Sequence, residues 1–153
     1  MIKGLKPEDC CGCASCVQVC PRNCISFNED IQGFRYPEVN QSIFIDCGCC
    51  ERVCPIRTHN LEHIPLLVYA AKNNNKEIRK NSSSGGIFTL LAEQVISEGG
   101  VVFGARFDDN WEVVHDFTET IEGLVEFRGS KYLQSRIGNN YQKAKSFLLL
   151  TLV

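Results

Sequence analysis

The sequence has no cysteine after residue 54, although ten cysteines occur in its 153 residues. Secreted disulfide scaffolds use their bridges to staple a small core, so this one-sided distribution argues against such a scaffold. The first residues also lack the apolar run of a secretory signal peptide. We therefore expect reduced cysteines and a cytoplasmic protein.

Long apolar runs and an excess of charge of one sign are lacking as well. No stretch approaches the roughly 20 apolar residues that span a bilayer, and the apolar segment at residues 147–153 is far too short. The formal net charge of -2 gives no electrostatic basis for binding nucleic acid or an anionic membrane. The sequence thus predicts neither a membrane span nor a nucleic-acid partner.

The cysteines that are present follow the spacing of an iron–sulfur protein. A first loop places four cysteines before a proline, and a second loop repeats the end of that pattern. In two-cluster ferredoxins, the fourth cysteine of each loop ligates the cluster of the other loop. The pattern therefore predicts a 4Fe-4S cluster on Cys10, Cys13, Cys16 and Cys54, and a second cluster on Cys20, Cys47 and Cys50.

The second predicted cluster is one ligand short, because Phe44 stands where its loop should have a first cysteine. Three alternatives are open: a three-iron cluster, a four-iron cluster completed by Cys49, or one completed by Cys24 or a non-protein ligand. We favour Cys49 because it lies inside the loop, although its side chain and that of the adjacent Cys50 diverge. Cys11 and Cys24 also fit a simpler role as small buried hydrophobes beside a cluster.

Zinc is the main alternative to iron, because four thiolates in two Cys-x-x-Cys pairs hold a tetrahedral ion. A zinc ribbon needs neither the third cysteine of each loop nor the prolines at 21 and 55. The sequence therefore favours iron–sulfur clusters and an electron-carrying function.

The rest of the chain predicts mixed helices and strands. Alternating residues at 25–27 and 34–36 predict a hairpin closed by Pro37. The composition changes near residues 58–66, which we interpret as a domain boundary. We expect an α+β chain with a ferredoxin-like domain at residues 1–60 and an α/β domain at residues 66–153.

Within the second domain, apolar residues predict a buried strand at 66–71 and a hairpin formed by 101–107 and 112–117. Helical periodicity at 87–96 follows a turn that contains Ser83, Ser84, Gly85 and Gly86. Free N–H groups and the positive dipole end at such a helix N-terminus suit a phosphate or diphosphate. The alternative is a serine N-cap with flexible glycines.

The chain resembles the beta subunits of coenzyme F(420) hydrogenases and dehydrogenases, in the form that carries an N-terminal ferredoxin domain. The resemblance covers almost the whole chain and rests on both cysteine loops and on residues 82–86, 99–105 and 128–135. It implies a flavoprotein that passes electrons between iron–sulfur clusters, FAD and a deazaflavin or another two-electron partner. It also implies that the serine–glycine turn and Lys131 contact a flavin diphosphate or substrate, where a lysine stabilises negative charge on the reduced cofactor.

The resemblance does not fix the substrate, because many bacterial relatives occur where the deazaflavin is absent and some accompany polysaccharide pyruvyl transferases. Relatives look much longer, continuing from residues 140–150 into a strand and a Gly-Thr-Pro-Cys turn. We therefore expect a truncated chain with an incomplete flavin-type domain that exposes apolar surface and binds FAD poorly or not at all.

The function expected from these observations is that of an iron–sulfur component of a flavin-dependent oxidoreductase. Its partner would be a redox protein or a flavin or deazaflavin cofactor, and the sequence names no catalytic base. The alternatives are a non-enzymatic ferredoxin-like carrier or docking module, and a zinc-stabilised interaction domain.

Overall fold

The computed structural model describes residues 4–58 and 65–150. Contacts between Cα atoms divide the chain into two compact units, residues 1–63 with 141–143 and residues 64–140 with 144–153. The boundary predicted near residues 58–66 falls largely on residues 59–64, which lie outside the described residues. The domain limits at 1–60 and 66–153 stay predictions.

The described part of the unit that holds the cysteines contains a 3-10 helix at Pro7–Asp9 and two short α-helices, one in each cysteine loop. Helix α1 spans Ser15–Val19 and helix α2 spans Cys49–Arg52. Both helices start after a residue in the left-handed conformation, Ala14 at φ 55° and Gly48 at φ 69°. These sharp reversals turn an extended cysteine loop into a helix, and α1 and α2 pack against each other.

A β-hairpin follows α1, as the sequence predicts. Strand β1 spans Ile25–Glu29 and strand β2 spans Arg35–Val39, paired antiparallel. Pro37 does not close the hairpin, since it lies inside β2 opposite Phe27. The sheet of these two strands leaves an unpaired edge on β2, where a proline without an N–H group is tolerated.

Cysteines make up much of the core of this unit. Cys16, Cys24 and Cys54 are buried together with Leu5 and Ile25. Partly buried side chains pack around them, among them Phe27, Val39, Phe44 and three further cysteines. A unit this small has little apolar surface to bury, and small folds of this kind commonly depend on a metal or disulfides.

The second unit is built around another hairpin. Strand β3 spans Val102–Phe107 and pairs antiparallel with β4, Val113–Thr118, as the sequence predicts. A 3-10 helix over Glu122–Phe127 packs on β3. The close approach depends on Gly104, because a Cβ there would lie 2.8 Å from Phe127 Cδ1.

Three further helices lie in the described part of the second half of the chain, and residues 141–143 of the third are grouped with the first unit. Helix α3 spans Lys76–Lys80, α4 spans Ile87–Ser97 and α5 spans Asn140–Leu150. Helix α4 confirms the periodicity predicted for 87–96. Within the described residues, no helix has the length and apolar character that crossing a bilayer requires.

The buried strand predicted at residues 66–71 is wrong. The segment has no regular secondary structure, and the exposed fractions of Leu66, Val68 and Tyr69 are 98%, 84% and 78%. The described residues provide this segment with no strand partner. Its apolar, β-prone side chains therefore have no sheet face on which to be buried.

Candidate iron–sulfur centres and anion-binding turn

Five cysteines from the two loops line one cavity, together with Leu5, Phe27 and Ile56. Four of them are those predicted for the first cluster, Cys10, Cys13, Cys16 and Cys54, and the fifth is Cys11. Three of the four predicted ligands come from the first loop and one from the second, which is the crossed pattern of two-cluster ferredoxins. The donor set and its apolar surroundings fit a 4Fe-4S cluster.

Cys16 is the cysteine of this set that is costly to ionise without a metal. Burial, together with the charges of the neighbouring Cys13 and Cys10, raises the pKa of the Cys16 thiol to about 12. Metals bind the thiolate form, so metal binding must offset this penalty and releases protons. The site is therefore stable as a thiolate cage only when positive charge is supplied.

The cysteines predicted for the second cluster also lie near one another. They are close enough for the charge of Cys20 to contribute to raising the pKa of Cys47, and for the charge of Cys47 to contribute to raising the pKa of Cys50. Hydrogen bonds from the backbone and side chain of Cys49 lower the pKa of Cys47. Burial raises the pKa of Cys20, but backbone hydrogen bonds led by that of Cys24 outweigh it and lower the pKa overall.

Neither candidate for the missing fourth ligand is free of other contacts. Arg52 Nη2 donates to Cys49 Sγ at 3.1 Å, and Arg52 Nη1 donates to the carbonyl of Cys47 at 3.2 Å. Cys24 Sγ lies 3.3 Å from Cys20 Sγ. Phe44 occupies the ligand position and packs on the core. The choice of Cys49 as fourth ligand therefore stays a prediction.

No three His, Cys, Asp or Glu side chains within residues 4–58 and 65–150 converge closely enough to hold a single metal ion. The four cysteines of the first set instead share the wall of a cavity.

The serine–glycine turn of the second unit lines a different cavity, of about 410 Å³. Ser83, Ser84, Gly85 and Gly86 form one wall, and residues 128–130 form another. Gly86 is the N-cap of α4 at φ 75°, and no side chain caps this end of the helix. The predicted turn thus combines hydroxyls with uncapped backbone N–H groups.

Asn73 holds the turn in place from the preceding segment. Its backbone N–H donates to the carbonyl of Gly85 at 2.7 Å, and its Nδ2 donates to the carbonyl of Gly86 at 3.2 Å. The side chain is buried, so these bonds are sheltered from water. A Cβ on Gly85 would lie 2.7 Å from the carbonyl oxygen of Ala71, so the close packing here needs glycine.

Arg128 brings a positive charge to the cavity of the turn, a role that the sequence did not single out. Its Nε donates to the hydroxyl of the buried Thr89 on α4 at 3.2 Å. Arg128 is the first residue of the segment 128–135, on which the family resemblance partly rests. Its place in this segment is the sequence signal that could have pointed to Arg128.

Lys131 lies on a neighbouring cavity of about 590 Å³, which shares residues 128–130 with the first and also contains Trp111. Its Nζ donates to the carbonyls of Arg128 at 2.9 Å and Glu126 at 3.2 Å. Burial lowers the pKa of Lys131, while the Glu126 carboxylate raises it. The serine–glycine turn and residues 128–130 thus line the same cavity. Lys131 lines the neighbouring cavity instead.

Comparison with known protein families assigns both parts of the chain. Residues 9–58 match the 4Fe-4S dicluster domain, so this part is an iron–sulfur electron-transfer domain. Residues 68–139 match the N-terminal domain of the beta subunit of coenzyme F420 hydrogenase/dehydrogenase. The resemblance inferred from the sequence is confirmed: one part of the chain matches the N-terminal domain of these beta subunits, and the other part matches a dicluster domain.

Two curated relatives agree with the two parts. "Ferredoxin 7Fe" of Hydrogenibacillus schlegelii is 51% identical over 51 residues, which cover 32% of this chain and 59% of the relative. A subunit of the F(420)H(2) dehydrogenase of Methanosarcina mazei is 23% identical over 137 residues, which cover 84% of this chain and 40% of the relative. The chain thus spans less than two thirds of the length of each.

Proposed function

We propose that this chain relays electrons between two iron–sulfur clusters and a flavin or deazaflavin-type partner. The observation that carries the proposal is the cavity lined by Cys10, Cys13, Cys16 and Cys54. Two loops far apart in the sequence supply these thiols in the crossed pattern that a dicluster domain requires. The match to the family of F420 hydrogenase/dehydrogenase beta subunits supports a redox partner of the flavin type.

The bound clusters would supply one-electron chemistry, and the chain would set their environment. Phe27 and Leu5 on the cavity wall would exclude water from the first cluster. Solvent exposure and hydrogen bonds to sulfur are two of the factors that set the potential of such a cluster. Because Cys16 and Cys54 of the first site are buried and Cys47 of the second is exposed, the two clusters would have different potentials.

For the second cluster we propose a three-iron site on Cys20, Cys47 and Cys50. Phe44 offers no ligand, and the Cys49 thiol is already bound by Arg52. The name of the ferredoxin relative, which specifies seven irons, agrees with one four-iron and one three-iron cluster. A four-iron cluster completed by Cys49 is the alternative.

In the second unit we propose that the turn at Ser83, Ser84, Gly85 and Gly86 binds the diphosphate of FAD, with Arg128 opposite. The uncapped N-terminus of α4 and the cavity of about 410 Å³ support this assignment. Lys131 on the adjacent cavity is then placed for the substrate or the second redox partner rather than for the diphosphate. A pathway that includes a polysaccharide pyruvyl transferase rests on the family resemblance alone.

Metal analysis tests the core of this proposal. The chain is purified without oxygen and assayed for iron, sulfide and zinc, with electron paramagnetic resonance spectra before and after dithionite. We expect about seven irons and a signal in the oxidised protein from the three-iron site. About eight irons would indicate that Cys49 or an outside ligand completes the site, and zinc without iron would overturn the electron-transfer proposal.

The second candidate function is a ferredoxin-like carrier that holds no flavin. The observation that favours it is the 51% identity with a ferredoxin over 51 residues. Flavin content separates the two functions. FAD that remains after desalting with this iron-loaded chain, or with a version extended by the rest of the flavin-type domain, supports the oxidoreductase, whereas iron without retained FAD in both supports the carrier.

A further inference from the structure

Cys24 is a buried thiol that neither cysteine loop needs. It stands outside the spacing that places the ligands, and its exposed fraction is only 5%. Its Sγ lies 3.3 Å from Cys20 Sγ, and its backbone N–H also donates to Cys20 Sγ, at 3.4 Å. Cys24 therefore directs its backbone N–H at a proposed ligand sulfur and brings its thiol within hydrogen-bond distance of the same sulfur.

The contact argues against Cys24 as the ligand of the missing corner. Two sulfurs bound to the same tetrahedral metal at about 2.3 Å stand about 3.8 Å apart. In a cubane each cysteine binds a different iron. The Sγ atoms of two ligand cysteines must therefore lie farther apart than two sulfurs that share one metal. A sulfur 3.3 Å from Cys20 Sγ is too close to serve a separate corner, but it is well placed for a hydrogen bond.

The protonation states fit this hydrogen bond. Cys20 must be a thiolate to bind iron, whereas the buried Cys24 beside it avoids a second negative charge by keeping its proton. The S–H group then lies within hydrogen-bond distance of Cys20 Sγ, which can accept its proton.

We propose that Cys24 is a positioning residue that donates its thiol proton to the Cys20 sulfur and thereby raises the reduction potential of the second cluster. This inference rests on the proposed iron–sulfur function. Reduction adds negative charge to the cluster and its thiolates, so a donor to a ligand sulfur stabilises the reduced form more than the oxidised form. The Cys24 backbone N–H would remain in any substitution except proline, which isolates the effect of the thiol.

The test compares Cys24→Ala, Cys24→Ser and Cys11→Ala with the wild-type protein. Cys11 is the control, because it is also outside the ligand spacing. It lines the cavity proposed for the first cluster, together with Cys10 and Cys13. Each iron-loaded protein is assayed for iron and sulfide, and the potential of each cluster is measured by protein-film voltammetry and by titration monitored with electron paramagnetic resonance.

We expect Cys24→Ala to keep its full iron content while the potential of the second cluster shifts to a more negative value. Cys24→Ser retains a donor and should recover much of the shift, and Cys11→Ala should leave the second cluster unchanged. Equal second-cluster potentials in Cys24→Ala and wild type would overturn the proposal. Loss of iron from Cys24→Ala alone would also overturn it, in favour of ligation or packing, and a wild-type protein without iron would instead refute the proposed function.

Discussion

The hydroxyl oxygens of Ser83 and Ser130 lie 3.2 Å apart, although 47 residues separate them in the chain. One belongs to the turn before α4 and the other follows the 3-10 helix that packs on β3. Both line the cavity of about 410 Å³. The hydrogen bond therefore joins two segments of the proposed diphosphate site into one wall.

Replacing either serine should weaken the binding of a diphosphate. We expect Ser83→Ala or Ser130→Ala to reduce FAD affinity by about 2- to 10-fold, the effect of losing one hydrogen bond of about 0.5–1.5 kcal/mol. Ser97→Ala is the control, because that hydroxyl bonds to the carbonyl of Gln94 at the other end of α4. Titration of FAD fluorescence measures the change, and equal affinities in all three variants would remove the turn from the site.

Cluster loss should follow the crossed assignment of the loops. Cys16→Ala and Cys54→Ala should abolish the same cluster, although they alter different loops, because both side chains line the same cavity. Cys50→Ala should abolish the other cluster. Electron paramagnetic resonance of each variant identifies the cluster that remains, and different spectra for Cys16→Ala and Cys54→Ala would contradict the shared site.

The contact between β3 and the 3-10 helix should tolerate no added methyl group. Gly104→Ala would place a Cβ 2.8 Å from Phe127 Cδ1, so we expect a loss of about 1–3 kcal/mol in the free energy of unfolding. Phe127→Leu alone should also destabilise the unit, but it should relieve part of the cost when combined with Gly104→Ala. The fluorescence of Trp111, the single tryptophan, which lies between β3 and β4, measures unfolding in urea. If the losses of unfolding free energy caused by the two substitutions were additive in the double variant, the proposed steric clash would be contradicted.

The second unit should lose stability in mild acid because of His115. Burial lowers the pKa of this imidazole, and its Nδ1 lies 2.7 Å from Ser135 Oγ. The unfolded chain therefore takes up a proton at higher pH than the folded chain. This contribution is fully present above the unfolded pKa of about 6.5 and is lost as the pH falls below that value.

Urea unfolding between pH 8 and pH 5 measures the slope. His115→Gln should flatten the dependence on pH because it removes the titrating group. A slope unchanged by this substitution would assign the acid sensitivity to other groups.

Much of the fold and part of the site could be predicted, because the signals are local. The spacing from Cys10 to Cys20 reflects a single loop, the apolar period at 87–96 reflects a single helix, and alternation marks the two hairpins. These patterns depend on neighbours in the sequence. The structure therefore reproduces the helix at 87–96 and the two hairpins within a few residues.

The failures concern contacts between distant segments. A buried strand at 66–71 needs a partner strand, which sequence alone could not show to be absent among the described residues. Lys131 and Ser130 are adjacent, yet Lys131 turns to the carbonyls of Arg128 and Glu126 and lies on the next cavity. The choice between such cavities depends on side-chain direction, which a motif does not encode.

The burial of Cys16 and Cys54 in the core has a consequence for the life of the protein in the cell. The same sulfur atoms that would carry electrons also occupy the space where a larger protein has leucine or valine. Folding of this unit is then thermodynamically linked to metallation, as in other small metal-dependent domains. Iron starvation would therefore lower the amount of folded protein as well as its redox activity, because proteases remove unfolded chains.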